Sequence, residues 1–277
     1  MSNIKILIAT QKKVSITKND ILLPIQVGKK LFKEKLDMQG DDEGDNISEK
    51  NSNYCELTAL YWAWKNLNTE IIGLFHYRRY FKFDNNLFPK RLYNVGTEKL
   101  KNYIISQDRI EHILNKHDII LSKPKISSRS IKINYKRSHH IEDLEIVTDI
   151  IKNKYPSYFN TWELIINKTN KFSTYNMFIC RFDIFDKYCQ WLFDILFEAE
   201  KEIKISPDVY QHRVSAFLSE RLFWLYCIKN KLDIKFLPVY KIQKGEVIKD
   251  STFFYHFNNL LKNLVFYTVN FRKIFVE

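Results

Sequence analysis

Glycine and cysteine are scarce in this chain, and long uncharged apolar runs are missing. Six glycines occur among 277 residues, and the glycine-rich signatures of Rossmann dehydrogenases, P-loop NTPases and serine hydrolases are absent. Bound phosphates are therefore expected to be held by side chains. The four cysteines, Cys55, Cys180, Cys189 and Cys227, lie far apart without a CxxC pair. This spacing excludes the usual zinc and redox motifs and favours buried, reduced thiols.

No segment reaches the roughly 18 uncharged residues that a membrane-spanning helix needs. The N-terminal apolar stretch Ile4–Ala9 is also far too short for a signal peptide. We therefore expect a cytoplasmic protein, either soluble or peripheral on the inner face of the cytoplasmic membrane.

Positive charge is in excess, because 44 Lys and Arg residues stand against 32 Asp and Glu, a net charge of +12. The excess favours anionic partners such as nucleotide phosphates, acidic lipid headgroups or nucleic acid. Solvated lysines in a Lys-, Asn- and Ile-rich chain are the alternative interpretation. The charges are spread along the chain and no nucleic-acid-binding motif occurs, so a nucleic-acid partner is not expected. A nucleic-acid-binding protein is the alternative from another functional class.

Apolar β-branched segments alternate with segments of helical periodicity. The predicted strands are Ile4–Ala9, Glu70–Phe75, Asp118–Ser122, Tyr175–Arg181 and Ile234–Val239. The predicted helices are Tyr54–Asn66, Ile141–Lys154, Asp183–Ile203 and Val209–Lys229. The basic segment Lys123–Arg137 is predicted to be an irregular loop. This alternation predicts an α/β fold with a mostly parallel central sheet flanked by helices.

A polar loop, Gly40–Asn53, follows the first part of the chain and is dense in Asp, Asn, Ser and Gly. Its carboxylates lack the order of an EF-hand calcium loop. Side chains that both donate and accept hydrogen bonds suit sugar or ribose hydroxyls. The loop residues assigned to donor binding are Asp42, Asn46, Ser48 and Asn51.

The run His76-Tyr77-Arg78-Arg79-Tyr80 follows a predicted strand and carries two adjacent guanidinium groups, which can bind phosphate oxygens. On a strand, Arg78 and Arg79 would face opposite sides, so at most one is expected to reach a ligand unless the chain turns. Structural salt bridges for the arginines and a core position for His76 are the alternatives.

Three further sites in the sequence carry polar groups that need a hydrogen-bonding or charged partner. Asn176 stands in an apolar strand, where an amide must find a partner or a ligand. Arg213 and Glu220 share a face of the predicted helix, which favours either an ion pair or a catalytic carboxylate. Asp143 follows His139 and His140 at a helix start, but no third metal ligand is near in sequence.

Four ordered motifs between Ile4 and Tyr240 resemble a known family: DDEGDNISEKNSNYCELTALYWAWKN, IIGLFHYRRYF, YNMFICRFDIFDKYCQWLF and RVSAFLSERL. The family is a bacterial capsule and O-antigen domain, first catalogued as of unknown function and later assigned to galactofuranosyltransferases, glycosyltransferase family 111. The resemblance implies a GT-A-like fold. It also implies transfer of galactofuranose from UDP-galactofuranose to an undecaprenyl-linked glycan with inversion. A pyranosyl transferase using UDP-galactose or UDP-glucose is the alternative.

By the same resemblance, Thr10 and Lys12 would lie beside the uridine, and Tyr175–Met177 would border the donor sugar and acceptor. Arg78 or Arg79 would stand where related folds bind a metal, so no cofactor is expected, with Mn²⁺ or Mg²⁺ as the alternative. His212 and Arg213 would supply further donor contacts. The candidate bases, in order, are Glu220, Asp143, Asp45 and Asp208.

The division of the chain follows from the extent of these motifs. Residues 1–245 are predicted to form the transferase domain, and nothing after Tyr240 suggests a second transferase. Residues 246–277 form an aromatic and basic tail. Such a tail is expected either to contact the inner-membrane surface or to pack on the core as a helix.

Overall fold

A computed structural model describes residues 2–13, 19–84, 87–101, 103–243, 245, 247 and 251–274. The strands are β1 (Ile4–Thr10), β2 (Leu22–Gln26), β3 (Gln39–Gly40), β4 (Ile71–His76), β5 (Arg79–Phe81), β6 (Leu92–Val95), β7 (Ile119–Ser122), β8 (Lys125–Ile126), β9 (Lys171–Phe172), β10 (Phe178–Arg181), β11 (Ile234–Leu237) and β12 (Val239–Ile242). The helices are α1 (Asn51–Tyr54), α2 (Leu57–Asn66), α3 (Glu98–Lys101), α4 (Gln107–Leu114), α5 (Ile131–Ser138), α6 (Ile141–Lys154), α7 (Pro156–Lys168), α8 (Phe182–Glu202), α9 (Val214–Lys229) and α10 (Thr252–Ile274).

The central sheet has the strand order β11-β7-β10-β4-β1-β2-β3. Parallel pairing joins β1 to β2 and β4, β2 to β3, and β7 to β11, whereas β10 runs antiparallel between β4 and β7. Strand β1 is buried almost along its whole length because both faces of the sheet are covered. The carboxyl ends of β1 and β4 therefore open together at one edge, where Ala9 pairs with His76.

Apolar side chains fill both faces of the sheet. Leu7, Leu74 and Leu121 belong to the larger core, which α2, α6, α7, α8 and α9 cover. Ile6, Ile8 and Phe75 belong to the smaller core on the opposite face, under α4 and the strands β5 and β12. The alternation of neighbouring residues between the two cores follows from the two-residue period of a strand.

The predicted α/β architecture is confirmed, but two predicted segments differ locally. The segment Lys123–Arg137 is not an irregular loop, because it contains β8 and most of α5. Ser130 caps α5 by accepting a hydrogen bond from the Ile133 amide, and Ile131 and Tyr135 bury one helix face. The predicted helix Tyr54–Asn66 is interrupted at Cys55, which separates α1 from α2.

The tail contains helix α10, and only a narrow stripe of its side chains faces the rest of the protein. Tyr255, Asn259, Asn263 and Phe266 recur at helical spacing and are the least exposed side chains in residues 252–269 of this helix. Residues 246, 248–250 and 275–277 of the predicted tail lie outside the described residues. Among the helices that the structure describes, none is both long and apolar enough to cross a membrane.

Candidate active site

An open cleft with two chambers lies at the edge where β1 and β4 end. The first chamber has a volume of about 520 Å³ and is lined by residues that include Thr10, Lys12, Asn51, Tyr77 and His212. The second chamber has a volume of about 400 Å³. Its lining includes Arg79, Arg91, His139, Tyr175, Tyr210, Phe217, Glu220 and Arg221. Glu56, His76 and Arg213 line both chambers, so they mark the junction between them.

The floor of the first chamber is built by the turn after β1. The Thr10 hydroxyl donates to the Lys12 carbonyl at 2.8 Å, which fixes the exit of the strand. Gln11 Nε2 donates to Asn51 Oδ1 at 2.7 Å, and Asn51 Nδ2 donates to the Thr58 hydroxyl at 3.0 Å. Gly28 has φ of 66°, and a Cβ there would stand 2.7 Å from the Asn51 side chain. Glycine is therefore required beside this wall of the chamber.

Glu56 enters the junction because the backbone is kinked at Cys55. Cys55 has φ of 50° and ψ of −123°, a conformation that non-glycine residues rarely adopt. The kink ends α1 and places Glu56 at the start of α2. There Glu56 Oε1 accepts a hydrogen bond from Asn176 Nδ2 at 2.8 Å. Arg213 Nε donates to Cys55 Sγ at 3.2 Å, which brings its guanidinium to the same junction.

His76 is held by a backbone carbonyl group in the turn that precedes β10. The register of β10 on β4 pairs Phe178 with Leu74, which brings the turn before β10 close to the end of β4. His76 Nε2 lies 2.5 Å from the Tyr175 carbonyl oxygen and must donate to it. Burial lowers the pKa of His76 although Glu56 opposes the shift. The imidazole is therefore neutral at neutral pH, with Nδ1 unprotonated.

Tyr175 and Asn176 form a strained turn before β10, with φ of 83° and 50°. The strand predicted from Tyr175 consequently begins only at Phe178. Glu220 Oε1 accepts the Tyr175 amide hydrogen at 2.7 Å, and Glu220 Oε2 accepts from Arg221 Nη1 at 3.1 Å. Burial raises the pKa of Glu220, against the effects of Arg221 and the Tyr175 amide. Both oxygens of this carboxylate are thus engaged in holding the turn.

The second chamber combines cations with aromatic faces. The Arg79 guanidinium lies 4.1 Å from the centre of the Tyr175 ring, and Arg91 donates to the Tyr175 hydroxyl at 3.2 Å. His139 stacks on Phe217 with ring centres 4.0 Å apart. Burial, with Arg221 adding to it, lowers the pKa of His139 to about 4. A flat, uncharged surface beside forked donors can bind the ring face and hydroxyl groups of a sugar.

The structure brings together most of the donor-binding residues predicted from sequence. Thr10, Lys12, Asn51, His76, His212 and Arg213 line the first chamber. Arg79 and Glu220 line the second chamber. Asn176 is buried beneath the junction, where it bonds Glu56. Arg213 does not share a helix with Glu220, because α9 begins one residue later and Glu220 bonds Arg221 instead.

Other predicted residues lie outside both chambers. Four of them, Asp42, Asp45, Asn46 and Ser48, belong to the polar loop, which is held by hydrogen bonds within the loop and to the segments beside it. Ser48 is buried against Asp41, which explains why its hydroxyl is not free for a sugar. Arg78 is exposed and lies over the Tyr77 ring at 4.9 Å, because the chain turns between β4 and β5.

The remaining candidate bases also lie away from the cleft. Asp143 is buried on α6, and burial raises its pKa to about 6. Asp208 caps the turn before α9 by accepting from the Tyr210 and Gln211 amides at 3.0 and 2.9 Å. Neither residue lines a chamber, so the structure does not bring them to the cleft that Glu220 lines.

Comparisons with known proteins identify the family of the chain and a solved structure with a similar fold. A model of the family described as a domain of unknown function, DUF4422, matches residues 5–231. The chain belongs to this family. A solved structure of WbbM, a bifunctional glycosyltransferase in its apo form, matches with 31% sequence identity and a TM-score of 0.80. The match covers 87% of this chain and 46% of the WbbM chain, so the chain spans about half the length of that protein. None of the curated proteins searched matches the chain.

In this DUF4422 chain, the junction residue that sequence reasoning missed is Glu56. Its signal is the position of a carboxylate directly after the polar loop, at the start of an apolar helix. The helical periodicity of Tyr54–Asn66 predicted one uninterrupted helix. In such a helix the Glu56 side chain would point in a different direction from the one it takes in the kinked chain. Arg213, more than 150 residues away in the chain, donates a hydrogen bond to the Cys55 side chain at the kink.

The junction has poor chemistry for a hard divalent cation. Mn²⁺ and Mg²⁺ prefer several oxygen ligands, yet the carboxylates lining the cleft are Glu56 and Glu220, and Glu220 is already bonded. Over the described ranges, no group of three or more His, Cys, Asp or Glu side chains is placed to hold a metal ion. The residues present therefore do not fit a carboxylate-bound metal on a diphosphate.

Proposed function

We propose that this protein is a glycosyltransferase that moves galactofuranose from UDP-galactofuranose to an undecaprenyl-linked glycan of a bacterial surface polysaccharide, with inversion at the anomeric carbon. The observation that carries the proposal is the pair of chambers meeting at Glu56, His76 and Arg213. Two substrates that react with each other need two adjacent sites, with the reacting atoms at the junction. The fold shared with WbbM supports the same reaction class.

The first chamber suits the nucleotide part of the donor. Its location at the carboxyl end of β1 is where open α/β sheets bind ligands. Lys12 and Arg213 supply fixed positive charge for the diphosphate, and His212 stands beside Arg213 on the same wall. We assign to Arg213, rather than to Arg78, the charge compensation that a metal ion supplies in related folds. The proposed reaction is metal-independent.

The second chamber suits the acceptor glycan. Its aromatic surface, with Tyr175, Tyr210 and Phe217, can pack on sugar rings, while Arg79 and Arg91 can bond to hydroxyl oxygens. Arg79 Nε is buried without a hydrogen-bond partner among the described residues. A ligand oxygen would satisfy this donor, because buried polar groups are usually bonded.

The test is UDP release from UDP-galactofuranose, generated in place by a mutase, compared with UDP-galactose and UDP-glucose. Each donor is supplied with a synthetic lipid-linked acceptor, with and without EDTA. Turnover of the furanose donor that resists the chelator is expected. Turnover of a pyranose donor alone would refute the donor assignment, and activity restored only by Mn²⁺ would refute the metal-independent reaction. If no donor reacts, the proposed function is wrong.

We propose that α10 holds the protein on the inner-membrane surface. Five of its large apolar side chains point away from the domain: Phe253, Phe254, Leu260, Leu264 and Tyr267 are each more than half exposed. The segment Thr252–Ile274 contains no acidic residue and carries Lys262, Arg272 and Lys273. An exposed apolar face on a segment whose charges are all basic fits an anionic lipid surface.

Vesicle flotation tests this contact with a matched pair of variants. Leu260→Glu places a charge in the exposed apolar face, whereas Asn258→Glu adds the same charge at an exposed polar position of α10. Binding to phosphatidylglycerol vesicles is expected to fall at least tenfold in Leu260→Glu and much less in Asn258→Glu. Equal loss in both variants would mean that charge alone governs binding, and no binding by the wild-type protein would refute the membrane contact.

A further inference from the structure

We infer that Glu56 is the catalytic base of the proposed transfer and that Asn176 orients it. This inference rests on the proposed function and assigns a role to a residue at the junction of its two sites. An acceptor hydroxyl must lose its proton as it attacks the donor sugar, so an inverting transfer needs a base between acceptor and donor. Glu56 lines both chambers.

The hydrogen bonds of Glu56 leave one carboxylate oxygen available. Oε1 accepts from Asn176 Nδ2 at 2.8 Å, while Oε2 makes no hydrogen bond to the residues that the structure describes. Asn176 is itself fixed, because its Nδ2 also donates to the Ser219 hydroxyl at 2.9 Å. A carboxylate held by one oxygen presents the other in a defined direction, as a positioned base requires.

Backbone strain is concentrated at the same place. Within the described ranges, the non-glycine residues with positive φ are Cys55, Tyr175, Asn176 and Lys231. The first three surround Glu56: Cys55 precedes it, Asn176 bonds it, and Tyr175 bonds its neighbour His76. Such conformations persist only where the surroundings enforce them, and they cluster at functional sites.

The other carboxylate in the cleft is less suited to this role. Both oxygens of Glu220 are engaged, with the Tyr175 amide and with Arg221. It therefore acts as a positioning residue for the Tyr175–Asn176 turn, and through that turn for Glu56. Asp45, Asp143 and Asp208 line neither chamber.

The step balances without any further reactant. The acceptor hydroxyl oxygen forms a bond to the anomeric carbon of the donor, and the bond from that carbon to the β-phosphate oxygen breaks. The electron pair of the broken bond leaves with UDP. The hydroxyl proton passes to Glu56 Oε2 and then to water after the product departs. Arg213 at the junction is placed to compensate the charge that develops on the diphosphate.

Glu56→Gln tests the assignment, because glutamine keeps the acceptor for Asn176 and removes the basic oxygen. We expect kcat to fall about 100-fold or more, with donor KM and calorimetric UDP binding within about threefold of wild type. The acidic limb of the kcat–pH profile should disappear in Glu56→Gln and persist in Glu220→Gln. Asn176→Ala should lower kcat less than Glu56→Gln does and should keep the limb.

The outcomes separate this inference from the proposed function. Wild-type turnover together with kcat in Glu56→Gln within threefold of wild type would overturn the role of Glu56 and leave the transferase standing. Absence of wild-type turnover with every donor would remove both. Glu56→Gln cannot test the role of the base if it loses UDP binding or its thermal unfolding transition. In that case Glu56→Asp is the test, because aspartate keeps a carboxylate base on a shorter side chain. This variant should retain the acidic limb of the kcat–pH profile at reduced kcat. Loss of that limb in Glu56→Asp would contradict the assignment.

Discussion

Replacing Glu220 by alanine should destabilise the protein, because the buried Arg221 guanidinium would lose its carboxylate partner. Arg221 retains only 8% exposure of its side chain and would lose its carboxylate partner at 3.1 Å. The Tyr175 amide would lose its acceptor at 2.7 Å. Breaking a buried ion pair on one side costs about 3–5 kcal/mol. The lower end applies here, because Arg221 keeps the Phe217 carbonyl and the Tyr135 and Phe172 ring faces.

We therefore expect Glu220→Ala to lower the free energy of unfolding by about 3 kcal/mol, which corresponds to a fall in Tm of about 5 °C. Glu220→Gln keeps an acceptor for the Tyr175 amide and should lose about 1–2 kcal/mol. Urea unfolding at equilibrium measures both, provided that the slope m is unchanged. A loss below about 1 kcal/mol in Glu220→Ala would refute the reasoning, since Arg221 would then not depend on this carboxylate.

Three further predictions follow from the structure. In a steady-state kinetic assay, Arg213→Ala should raise the KM for the UDP-sugar about 10- to 100-fold, because a charged contact with the diphosphate is lost. Arg78 lies outside both chambers, so Arg78→Ala should change the same KM less than about twofold. Asp41→Ala should lower the free energy of unfolding in urea by at least about 3 kcal/mol. The reason is that this fully buried carboxylate accepts hydrogen bonds from the Gly28 and Lys29 amides and from two hydroxyls. Wild-type stability in this variant would refute the structural role of Asp41. Asp143→Asn should stabilise the protein by about 1–2 kcal/mol at pH 8, after allowance for solvent screening, and by little at pH 4. The raised pKa of Asp143, about 6, means that the folded state holds a proton that the unfolded chain releases near pH 4, so the wild-type protein loses this stability as pH rises through 6. An unchanged pH dependence of unfolding in Asp143→Asn would contradict that account.

Much of the fold could be predicted from local patterns. The apolar β-branched run of β1 and the apolar periodicity of α6 are properties of neighbouring residues, and the structure has α6 from Ile141 to Lys154, as predicted. Helix α7 escaped prediction although it begins at a proline, which is common at the first helical position. The cleft edge was also predictable in part, since Thr10 and His76 end adjacent parallel strands.

The sequence by itself determined the residue types available to the site: basic and aromatic side chains after buried strands, and no glycine-rich phosphate loop. Tertiary structure decided which of these residues meet. Adjacent Arg78 and Arg79 have the same chemistry, yet the turn between β4 and β5 leaves one exposed and directs the other to Tyr175. Glu56 reaches the junction only through a kink supported by distant side chains. Local propensity cannot predict such a conformation, because long-range contacts must offset its intrinsic cost.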